Sequence, residues 1–169
     1  MFFRTRKMVL KAPRRSSGQH IIELMAGLMA LIPVIMVLID IAIILTAVNI
    51  NDSVCRDAAR AAAQGDPEPT GGDPGPIARA QAVVDQRQSQ IGGYITKIEL
   101  LPAPDSKVVV VTSPDPTYGG SYTGNVTVVT KIHVKVPASL PGLVPDHVDL
   151  SSRQTFPITF QRPNTYKPT

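Results

Sequence analysis

The sequence predicts an α+β protein: a long N-terminal transmembrane helix, then a short helix packed on a three- to four-stranded, largely antiparallel sheet. Three observations lead there. Every residue from Leu24 to Ile39 is apolar, Gly or Pro, and the apolar pattern resumes from Ile41 to Val48 after Asp40. A Pro/Gly-rich stretch, Asp66 to Gly75, then breaks the helical pattern and a shorter helical period follows it. Beyond Gly92-Gly93 the chain turns to Val-, Ile- and Thr-rich segments with period-two alternation.

The apolar stretch of roughly 25 residues is long enough to cross a hydrocarbon core of ~30 Å at ~1.5 Å per residue. Six of the 17 basic residues (Arg4, Arg6, Lys7, Lys11, Arg14, Arg15) precede it, and no acidic residue comes before Glu23. That asymmetry predicts a cytoplasmic N-terminus, with everything after Val48 outside the cytoplasm. A secretory signal would have a shorter apolar region and a small-x-small cleavage site at its far end. Here the run leads into Asn49-Ile50-Asn51-Asp52, so retention as an anchor is expected. Ile50, Val54, Ala58 and Ala61 recur at helical spacing, and Asp57–Ala63 is rich in strong helix formers, which carries the helix to Gln64. Gly65 and the prolines that follow end it. Pro33 removes one backbone donor from its interior, so a kink or local loosening is expected there.

The second helix is expected from Pro76 to Ile91, with proline in its first turn and Ile77, Ala80, Val84 and Ile91 on one face. Strands are expected at Tyr94–Leu101, Lys107–Thr112, Asn125–Val136 and Asp149–Phe160. In the third, Val126, Val128, Ile132, Val134 and Val136 alternate with Thr127, Lys131, His133 and Lys135. Pro157 assigns the last strand to an edge or a bulge. The loop Ser113–Gly124 joins two strands, and Tyr118 and Tyr122 make it the candidate contact surface of the body. The chain thus divides into a basic leader (1–18), a transmembrane and extended helix (19–64), a Pro/Gly linker (65–75) and a small α+β domain (76–169). Roughly a hundred residues beyond the span suffice for one modest core.

Composition excludes several functions. The net charge of +4 belongs to the leader, because from Gln19 onward 11 basic side chains face 13 acidic ones. With no basic patch on the body, nucleic-acid binding is not expected. Cys55, the only cysteine, cannot form an internal disulfide and reads as a small packing residue. His20, His133 and His147 lack metal-ligand spacing, and the acidic stretch Asp66–Asp73 does not match a calcium loop. There is no nucleophile–base arrangement, phosphate loop or carboxylate pair, so neither catalysis nor a cofactor or metal is expected. Asp40, deep in the apolar run, either pairs with a partner subunit or is hydrated at the outer interface.

The informative motif is Arg14-Arg15-Ser16-Ser17-Gly18-Gln19-His20-Ile21-Ile22-Glu23-Leu24: a basic segment ending in Gly, with a carboxylate five residues later at the start of the span. It resembles the class III signal of type IV prepilins and pseudopilins. The resemblance implies cleavage between Gly18 and Gln19 by a membrane-embedded prepilin peptidase on the cytoplasmic side. It also implies that Glu23 pairs with the N-terminal amine of a neighbouring subunit. Within that group the stretch from Arg14 to about Gly65 is most similar to the TadE-like proteins of tight-adherence (Flp-type) pilus systems. The matching features are Gly-x-x-x-x-Glu, Pro33 ten residues after Glu23, Asp40 late in the span, and the Ala/Arg-rich Cys55–Ala63. The resemblance implies a minor pseudopilin of the bacterial inner membrane. It would be single-pass, with a periplasmic or extracellular body, and partnered by other pilus subunits and the assembly machinery in adhesion or secretion. Glu23, Pro33 and Asp40 would serve assembly, in the pilus or beneath it. Two alternatives stay open: an uncleaved, membrane-tethered extracytoplasmic binding module, and a pseudopilin of a type II secretion or classical type IV pilus system.

Overall fold

The computed structural model describes residues 17–69, 72, 74–112, 119–137 and 145–163. In chain order these form α1 (Ser17–Ala63), α2 (Pro76–Gln90), β1 (Ile95–Leu100), β2 (Lys107–Thr112), β3 (Gly120–Lys135) and β4 (His147–Arg162). The chain divides into two units at the Leu38/Ile39 boundary, which falls within α1.

In the first unit the helix has no single buried face. Leu31, Ile32, Val34, Ile35, Met36, Val37 and Leu38 are all exposed, as are Ile21, Leu24 and Leu28 before them. A helix that is apolar all round belongs in a protein core or in a membrane, and only 6 % of its most apolar stretch is buried. By length and composition it is able to cross a membrane. The helix runs through Pro33 without a break.

The second unit is built on the remainder of α1. Ala47, Val54, Cys55, Ala58, Ala59 and Ala62 are buried, as is Asn51. This stripe lies about one residue round the helix from the Ile50–Val54–Ala58–Ala61 face expected from spacing. Ile50 and Ala61 are only partly buried, because small side chains, not the bulkiest, face the sheet. The Cys55 sulfur lies 3.4 Å from the Val128 carbonyl oxygen and 3.3 Å from that of Ser152, an approach that a large residue would prevent. Cys55 is therefore the packing residue that composition suggested.

The sheet is antiparallel and centred on β3, as the alternation of that segment requires. β4 pairs with its full length, from Gly120 opposite Arg162 to Lys135 opposite His147. The other edge is shared, β1 pairing with Thr130–Val134 and β2 with Thr123–Thr127. β1 and β2 are thus one interrupted strand. At the interruption Leu101 N–H donates to the Val129 carbonyl (2.9 Å) and Val129 N–H donates to Ser106 Oγ (3.0 Å), so the backbone of β3 stays satisfied. Pro157 sits on β4, which pairs with β3 alone, so its missing donor costs no second ladder.

Val126, Val128, Thr130, Ile132 and Val134 of β3 are buried on the helix-covered face. α2 starts at Pro76, buries Ala80 and Val84, and meets the outer edge of β1, where Gln88 Oε1 accepts from Ile98 N–H. That contact occupies a donor an open sheet edge would expose. β3 begins five residues earlier than expected, and β4 extends two residues further at each end. Gly, Ser and Thr concealed the alternation of 120–124, although Gly124 is required by the fold. A Cβ there would overlap the Val109 carbonyl oxygen and lie 3.0 Å from Val110 Cα, beside the irregularity between Val110 and Thr112.

Candidate processing and assembly site

Gly18 and Gln19 occupy the first turn of α1. A Cβ on Gly18 would meet no atom within 4 Å, so packing gives no reason for glycine there. Glycine in a helix is disfavoured by ~1 kcal/mol relative to alanine. Glu23, one turn further on, is exposed, and its Oε2 lies 3.8 Å from Nδ1 of His20 in the same chain. Spacing at i, i+3 places the two side chains on one face. Residues 1–16 of the leader, Arg14 and Arg15 among them, lie outside the described residues.

Pro33 forms a shallow apolar groove with Val34, Val37 and Leu38. Asp40 belongs to the second unit and is 3 % exposed, so its carboxylate is covered by its own chain. That burial counts equally against the hydrated reading of Asp40 and against its pairing with a partner subunit.

Tyr122 is also corrected. It lies in β3, opposite Phe160, and is 1 % exposed, so it offers no contact surface to a partner. Its ring is 6.4 Å from that of Phe160 and 4.8 Å from the Arg162 guanidinium, and its hydroxyl is 3.4 Å from Glu68 Oε2. Arg162 in turn donates to Asp66 Oδ2 (2.7 Å) and to the Glu68 carbonyl (2.9 Å). Hydrogen bonding to Asp66 raises the Arg162 pKa further above its ordinary value. Arg79 holds the start of the same segment, donating to the carbonyls of Ala61, Ala62, Asp66 and Pro74. Its guanidinium thereby serves the last carbonyls of α1, which lack partners within the helix. Residues 65–69 and 74–75 are thus fastened to helix and sheet. Tyr118 lies outside the described residues, as do the rest of 113–118, Asp73 and residues 138–144.

The outward face of the sheet carries a ladder that pattern reading reached only as a polar face. His133 is 2.7 Å from Asp149 through Nδ1 and 3.2 Å from Glu99 through Nε2. Lys131 pairs with Asp149 at 2.8 Å and Lys97 with Glu99 at 2.6 Å. The hydrogen bond from Lys97, then that from His133, hold the Glu99 carboxyl below the ordinary range. Lys131 does the same for Asp149, and Asp149 raises Lys131. His133–Asp149, His133–Glu99 and Lys131–Asp149 join neighbouring strands and so favour the register, whereas Lys97–Glu99 lies within β1. Arg79, Arg162 and the Asn51–Thr130 contact were not foreseen either, since only the fold brings residues so far apart in sequence together.

Comparison with family models, curated proteins and solved structures finds no match to this chain.

Proposed function

We propose that this chain is a minor pseudopilin of TadE-like type, anchored in the inner membrane by α1, cleaved after Gly18 and assembled through its helix with other subunits of a Flp-type pilus. The observation that carries the reading is a helix with apolar side chains exposed on all sides, directly behind a Gly-x-x-x-x-Glu segment whose glycine has no packing role. Crossing the bilayer accounts for the exposed side chains. Recognition by a peptidase accounts for Gly18, since glycine admits the extended backbone a protease cleft requires. The cationic leader keeps the N-terminus in the cytoplasm and sends the body outward. The intact mass of membrane-extracted protein tests the proposal. The mature chain begins at Gln19, and Gly18→Leu retains the leader. Full-length protein alone, beside an active peptidase, would refute it.

A second reading, an uncleaved tether for an extracytoplasmic binding module, is favoured by the His20–Glu23 approach, which gives Glu23 a partner within its own chain. The same mass measurement separates the two, since a tether begins at Met1.

A further inference from the structure

The second unit carries an apolar groove of about 380 Å³ between the residue 39–50 part of α1 and the turn leading into β1. Ile39, Ile43, Thr46 and Ile50 form one wall, and Tyr94 and Ile95 the other, with Gly92 at the turn. Among the described residues, no charged side chain lines it. Tyr94 is 49 % exposed, and Ile41, Leu45 and Val48 on the same stretch of helix are exposed too.

We propose that bilayer lipid occupies this groove, so that the body rests on the outer leaflet with Tyr94 at the headgroup boundary. The inference rests on α1 being a membrane span. Counted along the helix from Leu24, a ~30 Å hydrocarbon core takes about 20 residues and ends near Ile43, a residue of the groove wall. The apolar run nevertheless continues to Val48. This surplus has no core to enter on its exposed side, and the interfacial zone is where such a surface is stable. Tyrosine suits that depth, presenting an apolar ring to acyl chains and a hydroxyl to headgroups and water. Lys135 N–H donates to the Tyr94 carbonyl (2.7 Å), so an exposed lysine stands in the strand beside this turn, a residue type that interfacial phosphate attracts. A second copy of the chain fits less well, since a stable interface engages roughly 20–30 residues a side, far more than this groove presents.

The chain contains no tryptophan, so single-tryptophan variants report on depth without background. Full-length Tyr94→Trp and Thr46→Trp, one on each wall, are reconstituted in phosphatidylethanolamine/phosphatidylglycerol vesicles with or without brominated acyl chains. Ile35→Trp, within the span, is the reference. The expected result is loss of emission by brominated lipid for all three, with Tyr94→Trp quenched most by bromines near the headgroup. If Ile35→Trp is quenched while Tyr94→Trp and Thr46→Trp respond only to aqueous iodide, the groove faces water and the proposal fails while the span stands. Failure of Ile35→Trp to respond to lipid overturns the span itself, and the proposal with it. Shielding of the indole in Tyr94→Trp from both quenchers, relieved by diluting protein in lipid, assigns the groove to a second copy and also overturns the proposal.

Discussion

Asn51 stands alone among the helix residues that face the sheet in carrying a full amide into the core, and its removal has a calculable cost. It is 2 % exposed. Its Nδ2 donates to the Leu150 carbonyl (3.2 Å), and its Oδ1 accepts from Thr130 Oγ1 (2.8 Å), so one side chain ties α1 to both β3 and β4. Asn51→Ala leaves the Thr130 hydroxyl, itself fully buried, without this acceptor, a loss of about 1–3 kcal/mol. The unfilled volume adds to this, giving roughly 2–4 kcal/mol in all. That is a large share of the ~5–15 kcal/mol typical of a domain. Thr130→Val removes the other end, and the double variant removes both, so the cycle isolates a coupling of about 0.5–3 kcal/mol. The assay is urea unfolding of the full chain in detergent micelles, followed by circular dichroism at fixed pH. A shift below ~0.5 kcal/mol for Asn51→Ala, or strict additivity in the double variant, would show that the bond contributes nothing and refute the reasoning.

Under the proposed function, in which Glu23 pairs with a neighbouring subunit's N-terminal amine, Glu23→Ala is expected to be inserted and largely cleaved yet to fail to co-purify with other pilus subunits. Losing one partner of a buried charge pair costs about 3–5 kcal/mol, and Glu23→Asp falls between; normal assembly of Glu23→Ala defeats the docking mechanism. Gly124→Ala drives a methyl group into the Val109–Val110 backbone and is expected to destabilise the body by about 1–3 kcal/mol, read as a lower urea midpoint. Glu99 and Asp149 have depressed pKa values in the folded state, so their stabilisation is present above the ordinary carboxylate range and is lost as pH falls below about 4. Glu99→Gln with Asp149→Asn flattens that acid limb of the midpoint-against-pH curve, and an unchanged slope counts against the ladder. A fragment starting at Pro76 lacks Ala47, Val54, Cys55, Ala58, Ala59 and Ala62 and uncovers Val126–Val134, so it is expected to be aggregated or unfolded; a cooperative monomer in sedimentation and thermal melts would contradict this.

The elements that are legible in the sequence are those with a strong period. The apolar run behind Glu23, the α2 stripe at Ala80 and Val84, and the alternation from Val126 to Val134 all appear where pattern places them. What pattern misses is side-chain chemistry set by tertiary approach. Tyr122 follows two glycines and a serine and looks like loop, yet Phe160 and Arg162 of β4 enclose it. Asn51 looks like the polar end of an apolar run, because nothing local announces Thr130, 79 residues away. Arg79 and Asp66 sit in or beside a stretch that composition marks as linker, and only the end of α1 gives the guanidinium its acceptors. Gly18 is the converse case: the fold does not explain it, and under the proposed function a processing signal would.

The small residues of α1 fall into two groups with different explanations, and this bears on how such a subunit could assemble. Cys55, Ala58, Ala59 and Ala62 are buried beneath the chain's own sheet, so their size is accounted for within the molecule, and this face is closed to any partner. Ala26, Gly27 and Ala30 are exposed, and a Cβ on Gly27 would meet nothing within 4 Å. In a lipid environment large and small apolar side chains are equally well solvated, so a small residue gains its value where two helix backbones approach each other. Under the proposed function, helix-to-helix assembly therefore uses the stretch between Glu23 and Pro33. The residue 47–62 stretch holds the body to its own anchor. Substitutions to leucine should divide accordingly: at Gly27 they impair co-purification and leave the urea midpoint unchanged, whereas at Ala58 they lower the midpoint first. The same loss at both positions would mean that the helix acts as one undivided structural element.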